Sequence, residues 1–459
     1  MLQAEAADTG SHDISASSHI VVGPGSVNYT STGMSRGVSS TPSRPDEPNQ
    51  GNVLSQPVVP DSNDKPNIFV AGSLAVDFSC DYAPNGPSAA SEPSLNTSNP
   101  AKIQQSLGGV ASNVARAAHL MGASVRLCSS VGDDLSGKAA MEALTSEGIT
   151  SASVKIKENS RTAQYVALNN ANKDLVVAMA DMDILNDTDQ IFQDFWRPQL
   201  EASRPSQVVV DANWSPELLS QWFKAAKDIS AHVSFEPVSI AKATRIFDLP
   251  GSAALSVYPE QMIQLTAPNT FELNAMNQAA RTRGLFDRQD WWAVIDALGI
   301  SSTGARTQLS LATSPAMVDA GIPQQSIQLL PFIPCILTKL GAAGVLLTQL
   351  LPAGDARLSS GESAPFILSR CTNGTEDSLG VGGIYMRLFP AVEKVDESEV
   401  VSVNGVGDTF LGALIAAAEK KGKDARVEDL VDLAQRAAVL TLKSRESVSP
   451  QLTSLRPLL

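Results

Sequence analysis

The segment Ser402-Val403-Asn404-Gly405-Val406-Gly407-Asp408-Thr409-Phe410-Leu411-Gly412-Ala413-Leu414-Ile415 decides how this chain is read. Phe410, Leu411, Leu414, Ile415 and Ala418 recur at helical spacing, which predicts a helix from about Asp408 to Lys420. Gly405 and Gly407, just before it, leave the backbone free to aim consecutive N–H groups outward. Unpaired amides and the positive end of the helix dipole together make an anion site. Asp408 has no attraction for a phosphate there, but it can take the proton from a hydroxyl that attacks one. The alternative is an ordinary cap, with Asp408 bonded to its own first turn. Both readings stay open on this segment alone.

Working outward, short apolar runs alternate with amphipathic stretches. Ile68-Phe69-Val70-Ala71, Val125-Arg126-Leu127-Cys128 and Val208-Val209-Val210 read as buried strands. Ile336-Leu337-Thr338 and Val345-Leu346-Leu347 read as a pair around a glycine turn. Ser112 to Met121, Lys138 to Glu147 and Pro216 to Ile229 read as helices. This alternation predicts an α/β fold, a mostly parallel central sheet with helices on both faces. Asp81 to Pro100 is polar and turn-rich, and Leu351 to Glu399 is expected to form a long surface excursion. A hairpin is expected over Arg161 to Val166 with Asp174 to Ala178.

The first 65 residues hold 12 Ser, 6 Gly and 6 Pro with one aromatic residue, Tyr29. That composition cannot bury enough apolar surface to offset its ordering entropy, so residues 1–65 are expected to be a disordered tail or linker. No basic segment followed by an apolar one marks a signal peptide, so a cytoplasmic location is expected. The remaining residues, 66–459, are expected to form one domain with surface inserts.

Composition narrows the chemistry. The net charge of −14 argues against nucleic acid as a partner, because phosphate contacts need clustered Lys and Arg. No apolar run approaches the roughly 20 residues of a membrane span, so no membrane partner is expected. Cys80, Cys128, Cys335 and Cys371 show no paired spacing and read as reduced thiols. Gly132-Asp133-Asp134-Leu135-Ser136-Gly137-Lys138 has P-loop spacing, but two aspartates in the cradle repel phosphate. It reads instead as a strand-to-helix turn.

Together these segments resemble the pfkB-type, ribokinase-like carbohydrate kinases. The Gly405-Val406-Gly407-Asp408 segment is similar to that family's Asp-Thr-x-Gly-Ala-Gly-Asp signature. Four other places agree in order: Gly72 to Asp77, Gly108 to Ala115, Asn269-Thr270-Phe271-Glu272, and Thr338 to Gly344. The resemblance implies a ribokinase-like fold with a small β lid and an ATP- and Mg²⁺-dependent phosphotransfer. It makes Asp408 the base and Gly405, Val406 and Gly407 the anion hole. It gives Asp77, Gly108, Gly109 and Asn113 to the sugar, and Thr338, Gly341 and Gly344 to the nucleotide. Asn269 and Glu272 would organise Mg²⁺ through water.

Within the family, Ser106-Leu107-Gly108-Gly109-Val110-Ala111-Ser112-Asn113 and Arg126 to Asp134 resemble the kinase portion of fungal pseudouridine-metabolising proteins. The implied reaction is phosphorylation of the 5′-hydroxyl of a ribosyl compound, pseudouridine before uridine, adenosine or free ribose. The implied partner is a small nucleoside or sugar, with a homodimer through the lid. The alternatives are another sugar or nucleoside kinase of the family, or an inactive relative acting as an interaction protein. Ser402 and Val403 replace the family's Asp-Thr, so weak or absent activation by a monovalent cation is expected.

Overall fold

A computed structural model describes residues 66–459 except 85–90, 174, 187, 252–254, 301–303, 372–378 and 423–424. The tail expected over residues 1–65 lies outside the described residues. The described residues all belong to one compact unit.

Fourteen strands are defined among the described residues, in two sheets. The large sheet uses β1 (Ile68–Ala71), β4 (Val125–Gly132), β5 (Val154–Lys157), β8 (Gln207–Asp211), β9 (His232–Glu236), β10 (Leu265–Thr266), β11 (Cys335–Lys339), β12 (Val345–Pro352), β13 (Ile367–Arg370) and β14 (Val381–Phe389). The small sheet uses β2 (Ala75–Tyr82), β3 (Ala101–Gly108), β6 (Ala163–Asn169) and β7 (Leu175–Asp181).

The large sheet runs β13-β14-β12-β11-β10-β9-β8-β1-β4-β5. From β5 to β11 every neighbouring pair is parallel, and β12, β14 and β13 close the other end antiparallel. The parallel strands are short and almost wholly apolar because helices cover both faces. Alternate residues of β1 accordingly enter different cores. Phe69 packs with Trp196, Trp214 and Trp222 on one face. Ile68 and Val70 pack with Val114, Leu411 and Leu414 on the other.

The expected surface excursion over Leu351 to Glu399 is corrected here. β14 lies inside the sheet between β12 and β13, with Ile384 and Met386 fully buried. Gly382 and Gly383, read as loop punctuation, serve a close backbone approach instead. A methyl on Gly383 would lie 2.2 Å from the Ser369 carbonyl oxygen.

The small sheet, ordered β3-β2-β6-β7, is the expected lid. Register places Ser106, Asp77 and Tyr165 side by side on one face. Cys80, Ile103, Val166 and Met179 fall on the opposite face by the same alternation. Ile103 is 66 % exposed and Met179 62 %, so the outer part of this face presents apolar side chains to solvent, while Val76 and Leu107 at its inner end are buried.

Candidate active site

The site is built at the carboxyl ends of the parallel strands, where open α/β sheets bind ligands. β1 continues through Gly72-Ser73, and β8, β9 and β11 end at Asp211, Glu236 and Lys339. β1 lies between β8 and β4 in the large sheet.

The helix predicted from Asp408 begins two residues earlier, at Val406–Lys421, with Gly405 at its N-cap in the left-handed region (φ 72°). Only glycine suits that position, since a methyl there would also lie 1.9 Å from the Ser447 carbonyl oxygen. No side chain caps this helix. The Asp408 carboxylate is therefore not consumed by its own first turn. It accepts instead from Asn113 Nδ2 at 2.9 Å, across 295 residues of sequence.

Packing brings those two residues together. The helix Val110–Leu120 lies against Val406–Lys421, and a methyl on Gly412 would fall 2.5 Å from the Val114 carbonyl oxygen. Small residues at this crossing let the two helices approach closely enough for Asn113 to reach Asp408. Asn113 Oδ1 is buried and has no hydrogen-bond partner among the described residues. It is an acceptor waiting for a donor.

Asp77 is half-buried, and no hydrogen bond among the described residues is made to its carboxylate. Burial, and then the charge of Asp408, push its carboxyl up to about 7 against a smaller pull from Arg116. Gly108 is the floor beneath it, since a methyl there would lie 2.1 Å from Asp77 Oδ2. A methyl on Gly109, at φ 90°, would lie 2.6 Å from the Ser73 carbonyl oxygen. Burial also pushes Asp408 up to about 6, with Asn113 and Lys339 opposing.

Asp211 ends β8 beside these groups. It is fully buried and accepts from the Ser73 amide and hydroxyl at 2.9 Å and from the Ala111 amide at 3.1 Å. It thereby ties the turn after β1 to the loop that carries Gly109 and Asn113. Its neighbour Gly72 leaves room for this, because a methyl there would meet the carboxylate at 2.2 Å.

The remaining expected positions divide. Asn269 caps the helix Thr270–Thr282 in a reciprocal box. Its Oδ1 accepts from the Phe271 and Glu272 amides at 2.9 Å, and Glu272 Oε2 accepts from the Asn269 amide at 2.8 Å. The Asn269 oxygen is thus already filled by two donors, and Asn269 holds Glu272 in place. Thr338 is fully buried, its hydroxyl 3.4 Å from that of Ser326. Gly344, at φ 94°, supports the turn between β11 and β12, where a methyl would strike the Phe389 carbonyl oxygen at 2.0 Å. Only Gly341 of these three glycine-loop positions lines a groove. That groove, of about 480 Å³, is walled by Phe271, Met317, Ile322, Leu340 and Ala343, with Lys339 at its edge.

Lys339 was missed as a candidate, being one variable position in a loop pattern. Its Nζ lies 3.4 Å from Glu236 Oε1, and a methyl on Gly407 would lie 2.9 Å from it. Burial works against the ammonium, but Glu236, Glu272 and Asp408 outweigh it and hold its pKa above the usual lysine value. Glu236 is itself pushed up to about 8, chiefly by burial, and its Oε2 has no partner. Glu272 and the partnerless Glu236 oxygen suit a hydrated divalent cation. Among the described residues no three His, Cys, Asp or Glu side chains cluster closely enough to hold a metal directly.

The P-loop-like turn is no phosphate cradle. Asp134 accepts from the Gly137 amide at 2.7 Å and the Thr162 amide at 2.8 Å, and Lys138 faces solvent beside Asp133. No helix among the described residues is long and apolar enough to cross a membrane. The four cysteines form no disulfide.

Comparison with known proteins agrees with this geometry. The pfkB family carbohydrate kinase pattern matches residues 65–292 and 374–454. A pseudouridine-metabolizing bifunctional protein of Schizosaccharomyces pombe is 29% identical over 364 residues, 79% of this chain. The chain spans 44% of that protein's length. Pseudouridine kinase of Arabidopsis thaliana is 24% identical over 78% of this chain and 85% of its own. Ribokinase from Cryptococcus neoformans, solved in complex with ADP, superposes with a TM-score of 0.54 at 16% identity, covering 85% of this chain and 99% of its own. The fold is ribokinase-like.

Proposed function

We propose a substrate and a mechanism from one premise: the chain belongs to the pfkB family of carbohydrate kinases. The reaction is ATP-dependent phosphorylation of the 5′-hydroxyl of a ribosyl compound, pseudouridine, giving pseudouridine 5′-phosphate and ADP. Similarity to two pseudouridine-acting proteins supports the choice of nucleoside. The observation that carries the chemistry is the Asn113–Asp408 bond with Asn113 Oδ1 left partnerless.

Asp77 and Asn113 Oδ1 accept hydrogen bonds from ribose hydroxyls over the Gly108-Gly109 floor. Ser106 and Tyr165, beside Asp77 on the lid, face the same substrate. Asp408, uncommitted to its own helix, takes the proton of the attacking hydroxyl. The Val406 and Gly407 amides, at the positive helix end, hold the phosphoryl group in transit. Gly341 and the apolar groove beside it take the nucleotide. Glu272, held by Asn269, and Glu236 would keep a hydrated Mg²⁺ near the triphosphate. Bound there, Mg²⁺ would neutralise phosphate charge. Closure of the lid excludes water that would otherwise receive the phosphoryl group.

Residues 66–459 are the kinase domain in this reading, and residues 1–65 a tail. The uncovered apolar lid face around Ile103 and Met179 supports pairing of two copies. Purified protein should phosphorylate pseudouridine faster than uridine, adenosine or ribose. Asp408→Asn should lower turnover about 10²–10⁴-fold. Near-full turnover in that variant would overturn the mechanism.

A further inference from the structure

Lys339 is a cation without a proper partner. Among the described residues its Nζ makes one hydrogen bond, to Glu236 Oε1 at the long distance of 3.4 Å, although an ammonium carries three donors. Its side chain is 18 % exposed, so solvent reaches it only in part. It also lies against the positive end of the helix Val406–Lys421, under Gly407. A cation is disfavoured at that end of a helix unless anions surround it. Glu236, Glu272 and Asp408 supply such charge, yet only Glu236 comes within bonding distance.

The backbone fixes this position. The Lys339 amide donates to the Pro268 carbonyl at 2.8 Å, and Lys339 bridges to Asn269. Lys339 therefore borders the groove that Asn269 and Phe271 also line, while its ammonium reaches Gly407. It is the side chain that joins the groove to the glycine loop. A methyl on Gly407 would lie 2.9 Å from the ammonium.

Deepening the kinase reading, on which this rests, we infer that Lys339 is a further catalytic residue, whose ammonium binds the γ-phosphoryl oxygens of ATP and follows them to the acceptor. The acceptor oxygen forms the new bond to phosphorus as the bond to the β–γ bridging oxygen breaks. The hydroxyl proton goes to Asp408, and ADP leaves with the bridging oxygen. Lys339 exchanges no proton. Its charge offsets that of the equatorial oxygens throughout.

The test compares Lys339→Met, Lys339→Arg and Asp408→Asn with the unchanged chain. Turnover is measured with the best acceptor among pseudouridine, uridine, adenosine and ribose. Binding of ADP and of a non-hydrolysable ATP analogue is measured by calorimetry. Lys339→Met should lower kcat about 10²–10³-fold, the range for losing one transition-state donor. It should weaken the analogue at least about tenfold while changing ADP by less than about threefold, because only the analogue carries a γ-phosphoryl group. Lys339→Arg, which keeps the charge, should recover at least about tenfold of the lost turnover. If Lys339→Met keeps kcat within about threefold, or loses ADP and analogue equally, the assignment is overturned while an inactive Asp408→Asn leaves the kinase reading standing. Absence of turnover on all four acceptors by the unchanged chain would instead remove that reading, and the Lys339 assignment with it.

Discussion

Neutralising Asp77 should stabilise the free protein while impairing it as an enzyme. The carboxyl titrates at about 7 instead of 3.8, mainly because burial disfavours its ionised form. At 1.36 kcal/mol per tenfold change in proton affinity, that displacement corresponds to about 4 kcal/mol. A folded-state value raised above the unfolded one favours the folded state most at low pH. The benefit is lost as pH rises from about 4 through about 7. Asp77→Asn carries no such loss, so it should match the unchanged chain near pH 4 and exceed it by up to about 4 kcal/mol at pH 8. A smaller part of the figure is repulsion from Asp408. Unfolding entropy of about 0.8 kcal/mol/K for a unit of this size translates the full gain into roughly 5 °C. Thermal unfolding at pH 5 and pH 8 measures it, and acceptor KM is measured alongside. A variant less stable than the unchanged chain at pH 8, or a difference equal at both pH values, would refute the reasoning. Asp77 would then be a structural acid with a native partner, not a carboxylate held ready for a substrate.

Two other outcomes test neighbouring parts of the site. Gly108→Ala places a methyl 2.1 Å from Asp77 Oδ2, so acceptor KM should rise at least about tenfold with ATP KM little changed, and an unaltered acceptor KM would remove Gly108 from the sugar floor. Ser402 is neutral and its hydroxyl already accepts from the Asn404 amide at 3.2 Å, so turnover should be similar in sodium and potassium; a many-fold rise in potassium would contradict this.

What the sequence determined by itself is local. Gly405 and Gly407 before an apolar helical repeat specify a helix start with free amides, because backbone freedom and side-chain period are properties of consecutive residues. The alternating strands and helices likewise specify the layered α/β fold, because each run must bury one face. Tertiary structure decided what depends on residues far apart. Whether Asp408 bonds to its own first turn was open until Asn113 met it across 295 positions, at a helix crossing that Gly412 makes narrow. Thr338 and Lys339 are adjacent in one loop pattern, yet strand alternation buries the first and sends the second under Gly407. The glycines of β14 read as a loop because their close backbone neighbours, Pro352 and Ser369, are distant in sequence. Asp211 gains its meaning the same way, from Ser73 and Ala111. Charge, burial and orphaned polar atoms exist only once the chain has folded, and they carry the chemistry of this site.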